Sequence, residues 1–122
     1  MKTIKILYWA STGIVALMML FSAYKYLTDP QTAAGFHHLG FSGYFRVELA
    51  IAKIIGAIIL AVPFVGRLKE WAYAGFTIVF ISAFIAHTAS ADPVSIRIMP
   101  VMFLLLLAAS YYMYHKLYPA KA

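Results

Sequence analysis

Four long apolar stretches, at about 4–26, 44–64, 68–89 and 96–118, constrain this 122-residue chain more than any other feature. Each holds about 20 residues, the length an α-helix needs to cross a hydrocarbon core of about 30 Å. Lipid offers the backbone no hydrogen-bond partners, so a spanning segment must satisfy itself as a helix or within a closed barrel. The stretches lack the two-residue alternation of barrel strands. They predict an all-α fold: a four-transmembrane-helix antiparallel bundle forming a single membrane domain over 1–122. Composition agrees, with 64% hydrophobic and 11% charged residues, where soluble domains carry about 25% charged residues.

Lys2 and Lys5 give the first stretch the look of a signal peptide. Its apolar part exceeds the usual signal core of about 7–15 residues, so it is read as a retained helix. The net charge of +6 does not point to nucleic acid, because the basic residues sit at the ends of apolar runs rather than in a patch. That placement fits membrane orientation and anionic headgroups. Lys2, Lys5, Arg67, Lys69, Lys116 and Lys121 fall on one side of a four-pass topology. That side, with both termini, is predicted to be cytoplasmic. Lys25, Asp29, Arg46, Asp92 and Arg97 fall on the other. The chain has no cysteine, which excludes disulfide exchange, thiolate zinc sites, cysteine-held iron–sulfur clusters and covalent haem within it.

Short turns at 65–67 and 91–95 make the second and third stretches neighbours, and likewise the third and fourth. The connection at 27–43 is long. Within it Asp29-Pro30 reads as an N-cap followed by proline at the first helical position, and Gly40 as a stop. A short interfacial helix at the outer surface is predicted there, with Phe36 and Phe41 turned toward lipid.

Ionisable residues inside a membrane are costly and usually face the protein interior, so function is sought among them. Depth follows from a rise of 1.5 Å per residue. Counting from the cytoplasmic ends, Glu48 lies about 24 Å up, His87 about 28 Å, Arg97 about 26 Å and Ser22 about 27 Å, all in one outer layer. Lys53 lies at about 16 Å, with its ammonium leaning toward that layer. Gly56, one turn below Lys53, permits close approach of a helix or ligand. The inner half reads as mostly apolar, with Thr12, Thr77 and Ser82 as exceptions. These residues predict a polar pocket open to the outside and closed by apolar packing beneath.

Plainer readings stand beside these. Lys53 is also a candidate for snorkelling to a headgroup, Glu48 for an interfacial helix start, Arg97 for an interfacial anchor, and His87 for a structural histidine oriented by Thr88 and Asp92. Glu48 and Lys53 lie about 140° apart around the helix, a poor angle for an ion pair. His37 and His38 read as a polar loop surface. No metal ligand set is predicted. His115 sits at the opposite end from His87, which rules that pair out as haem ligands.

Three segments give the chain a family likeness. One runs from Leu39-Gly40-Phe41 and Tyr44-Phe45 into Ala52-Lys53-Ile54-Ile55-Gly56-Ala57 and Pro63. The second is Arg67-Leu68-Lys69-Glu70-Trp71-Ala72-Tyr73-Ala74-Gly75-Phe76, and the third is His87 with Asp92. The chain resembles the DoxX-like family of small bacterial four-helix membrane proteins over nearly its whole length. The resemblance implies a four-helix membrane bundle in the bacterial cytoplasmic (inner) membrane. Some relatives are named as subunits of membrane oxidoreductases, including quinone-linked sulfur oxidation, and others look like assembly factors. By position Lys53, Gly56 and His87 fall within the family pattern; Glu48 and Arg97 rest on depth alone.

Three functions compete. The first is binding of a lipophilic, quinone-like molecule in the outer pocket, as accessory to a membrane oxidoreductase subunit that would carry the electrons. Lys53 and His87 would hydrogen-bond its head and Glu48 would exchange protons. The second is a structural or assembly partner of a membrane complex or oligomer, packing through Gly13, Gly56, Ala57, Gly75 and Ala83. The third is a miniature transporter, disfavoured because the first helix carries no intramembrane acid. No self-sufficient catalytic motif is present.

Overall fold

In the computed structural model, which describes residues 2–62 and 66–118, the chain forms five helices, with no strand among the described residues. The long ones are α1 (Lys2–Thr28), α3 (Gly43–Ala61), α4 (Arg67–Ala89) and α5 (Val94–Leu117); α2 (Pro30–His38) is a short helix joining α1 to α3. By length and composition α1, α4 and α5 can cross a membrane. α3 is shorter, at 19 residues, and carries Arg46, Glu48 and Lys53. Pro63, Phe64, Val65 and Lys121, on which the expected end of the second stretch, part of its turn and one cytoplasmic charge fall, lie outside the described residues.

The long helices close a ring in the order α3, α1, α5, α4, with no backbone approach across the diagonals. α1 is the hub, packing extensively on both α3 and α5. The α3–α4 seam is the slackest of the four. α2 rests on α3 and α1.

Local chemistry explains how α2 starts and stops. The Asp29 carboxylate accepts from the Gln31 amide at 3.4 Å and the Thr32 hydroxyl at 2.9 Å, and Pro30 opens the helix. The last turn closes with Phe41 N–H donating to the Phe36 carbonyl and Gly40 N–H to that of His37, with Gly40 at φ +87°. This is the paired-bond helix stop that favours glycine at its left-handed position. Phe36 is buried, its ring edge-on to Tyr26 at 4.6 Å. The expectation that it faces lipid is therefore wrong: the one large apolar side chain of a short polar helix is what ties that helix to the protein.

The half built around Tyr8, Lys69 and Ser110, expected to be mostly apolar, is not simply apolar. Thr12, Tyr73 and Ser110 form a buried hydroxyl chain, with Ser110 Oγ at 2.6 Å from Thr12 and 2.7 Å from Tyr73. Lys69, read from sequence as a loop charge, is 1% exposed. Its ammonium donates to the Leu60 carbonyl (2.9 Å), the Val62 carbonyl (2.8 Å) and the Tyr8 hydroxyl (3.1 Å). It sits within 6 Å of the rings of Tyr8, Trp9 and Tyr114. A cation at the open carbonyls of a helix C-terminus is electrostatically favoured, and aromatic faces add to the attraction. The sequence places this polarity on a lysine that reads as a loop charge and on hydroxyl residues whose partners lie on other helices.

Candidate functional site

The end of α4 builds the first part of the site. Asp92 N–H donates to the His87 carbonyl at 2.9 Å and Ala91 N–H to that of Thr88 at 3.1 Å, with Ala91 at φ +58°. This stop folds Asp92 back over the last turn, so its carboxylate also reaches its own helix: His87 Nδ1 donates to Oδ2 at 2.7 Å. The other oxygen accepts from His38 Nε2, at the end of α2, at 3.1 Å. Arg97 Nε donates to the Asp92 backbone carbonyl at 2.5 Å and fixes the loop from the far side. The hydrogen bond from His87, and then that from His38, hold the Asp92 carboxyl below the usual carboxylate range.

Beneath this cluster lies a cavity of about 530 Å³ between α2, α3 and α4. Its walls are mainly apolar, including Phe36, Phe45, Leu49 and Val79; His38, His87, Asp92, Thr32 and Ser82 contribute polar groups. An apolar chamber with a few convergent polar groups is the usual form of a small-molecule site. Asp92 and the two histidines use separate oxygens and do not converge on a point; among the described residues no group of three or more is arranged to hold a metal ion.

Lys53 lies outside that cluster. It is 4% exposed and points across to α1, donating to Ser22 Oγ at 2.9 Å and to the Tyr26 hydroxyl at 2.6 Å. A buried ammonium is tolerated when hydrogen-bonded and costly otherwise. Tyr26 lines the cavity, so Lys53 touches the site at one remove. Arg46 donates to the Tyr26 carbonyl and secures the end of α1. Glu48 is exposed and makes no hydrogen bond or ion pair with any described residue. Gly56 is closed from within, since a Cβ there would meet the Phe76 ring at 2.8 Å.

Of the five residues singled out from sequence, then, His87 lines the chamber, Arg97 braces its loop, Lys53 and Gly56 sit in neighbouring contacts, and Glu48 stands apart. His38 was read as loop surface and Phe36 as turned toward lipid, and Tyr26 was not among the site candidates. The only advance signal for His38 is its place at the end of a helix whose start Asp29-Pro30 announces.

The sequence profile of the DoxX-like family matches residues 10–110, from within α1 to near the end of α5. The chain belongs to the DoxX-like family. Searches of curated proteins and of solved structures found no match. The matched region holds the whole cavity together with Lys53, His38, His87 and Asp92. With its long apolar helices, this DoxX-like protein is an integral membrane protein in contact with lipid.

Proposed function

We propose that this DoxX-like protein binds a lipophilic small molecule with a hydrogen-bonding head, quinone-like in chemistry, as accessory to a membrane redox system. The head lies against His38, Asp92 and His87, and a partner subunit carries the electrons; the chain has no cysteine to ligate an iron–sulfur cluster. The observation that carries the reading is the apolar chamber bearing a histidine–carboxylate–histidine cluster on its wall.

This reading has all four long helices crossing the bacterial cytoplasmic membrane, with α2 at the outer surface and both termini inside. α3 supports it despite its three charges. Its 19 residues span about 28 Å. Arg46 and Glu48 sit near its start, and its one deep charge, Lys53, is satisfied by hydroxyls. Lys2, Lys5, Arg67 and Lys116 are exposed toward the end taken as cytoplasmic.

The test is titration of purified protein in lipid nanodiscs with a chainless benzoquinone. Saturable binding, weakened about tenfold in His87→Ala through loss of one polar contact worth about 1.4 kcal/mol, is the expected result. Absence of saturable binding, or binding indifferent to His87→Ala and Asp92→Asn together, overturns the reading.

A further inference from the structure

The chamber does not stand alone. A second groove of about 340 Å³ runs along the α3–α4 seam toward the opposite end of the pair. Leu49 and Val79 line both spaces, so chamber and groove meet at that pair. The groove is lined mainly by small or apolar residues, among them Ala52, Ala72 and Gly75, and ends at Leu68 and Trp71; Lys53 also lines it, with its ammonium held by Ser22 and Tyr26. Gly75 and Ala52 are exposed, and a Cβ at Gly75 meets nothing within 4 Å. From Val79 to Leu68 the groove follows α4 for about 16 Å, and from Val79 to His87 is another 12 Å or so.

A compact molecule fills only the chamber. We propose that the ligand is a chain-bearing amphiphile: its head occupies the chamber and its single hydrocarbon chain passes Leu49 and Val79 to lie along the α3–α4 groove. The proposal rests on the chamber being a ligand site and adds the class of ligand it takes. Two features of the seam carry it. The groove adjoins the chamber, with Leu49 and Val79 lining both, and it lies along the slackest contact in the ring. A chain leaving lipid for this groove gains packing rather than release from water, because lipid tails are as apolar as the groove. The chain therefore adds a modest increment of affinity, through packing alone.

The experiment uses the full chain in detergent and two probes, a chainless benzoquinone and the same benzoquinone carrying a decyl chain. Gly75→Leu and, separately, Ala52→Leu fill the groove from opposite walls without entering the chamber. Gly13→Leu fills an equally open glycine position on α1, away from both spaces. Dissociation constants are measured calorimetrically, and melting midpoints confirm that each variant folds. The decyl compound is expected to bind about tenfold more tightly than the chainless one. Either groove variant removes that increment while leaving the chainless compound's affinity unchanged, and Gly13→Leu changes neither. An increment absent in the unaltered protein, or one that survives both groove variants, overturns the proposal and leaves the groove to ordinary lipid, while binding of the chainless compound keeps the chamber reading intact. Failure of both compounds to bind overturns both.

Discussion

His38 and His87 meet through the two oxygens of one carboxylate, Asp92, at 3.1 and 2.7 Å. The His38 bond links α2 to the α4–α5 turn, whereas the backbone of α2 rests only on α3 and α1. Asp92→Asn weakens both contacts, because an amide keeps one oxygen and loses the charge that strengthens the bonds. Amide hydrogen exchange in α2 should then speed up severalfold, with exchange in the middle of α5 unchanged. Equal exchange in α2 of both proteins would contradict the clasp.

Asp92 also sets a pH dependence. His87 first, and His38 after it, hold its carboxyl below the usual range, so the folded chain binds that proton less readily than the unfolded one. The contribution is therefore present above the ordinary carboxylate value of about 3.9 and disappears as pH falls through the lower folded value. Melting of the unaltered protein and Asp92→Asn should differ at neutral pH and converge as pH is taken well below about 4. Arg97, the remaining charged side chain at this turn, meets the Asp92 backbone carbonyl and not its carboxylate. A gap that persists undiminished at the acid end would rule out Asp92 as its source.

Ala91 holds φ +58° in the turn that delivers Asp92. A left-handed conformation costs an L-residue with a side chain about 1–2 kcal/mol, which glycine avoids at some cost in chain entropy. Ala91→Gly should raise unfolding free energy by about 0.5–1 kcal/mol, and Ala91→Val should lower it. Unfolding in mixed micelles with rising SDS measures both.

Lys69→Met removes the donor shared by the Leu60 and Val62 carbonyls and the Tyr8 hydroxyl. Leaving buried acceptors unmet costs about 1–3 kcal/mol each before relaxation, so a net loss of about 2–3 kcal/mol is expected in the same assay. Arg67→Met, at an exposed neighbour, should change stability by less than about 0.5 kcal/mol.

Two glycines separate by their surroundings. Gly56→Leu must displace the Phe76 ring and should destabilise by about 1–3 kcal/mol, whereas Gly75→Ala meets open space and should be neutral or stabilising by up to about 1 kcal/mol. Phe76→Leu in the Gly56→Leu background should recover part of the loss, a coupling readable by a double-mutant cycle.

The helices were legible because lipid makes one demand on every span, and runs of apolar residues answer it locally. Asp29-Pro30 announced α2 for the same reason: a cap acts within three residues. Partnerships across the ring were not legible. Nothing near His38 marks Asp92 as its partner, since the two are joined only when one turn lands beside another helix's end. Lys69 misled for a related reason. A lysine between two spans reads as a loop charge, and its burial depends on Tyr8 from α1 and Tyr114 from α5. The convergence at His87 was visible in part, because Asp92 lies five residues away on the same chain segment. Glu48 failed to join because depth fixes height along a helix and leaves direction around it open.

The Lys69 knot has a mechanical corollary. It locks the last carbonyls of α3 to the start of α4 and to α1, while at the other end the same two helices stand apart around a void. A difference in spacing between the two helices therefore falls at the chamber end, and the His38–Asp92 bond lies across that end.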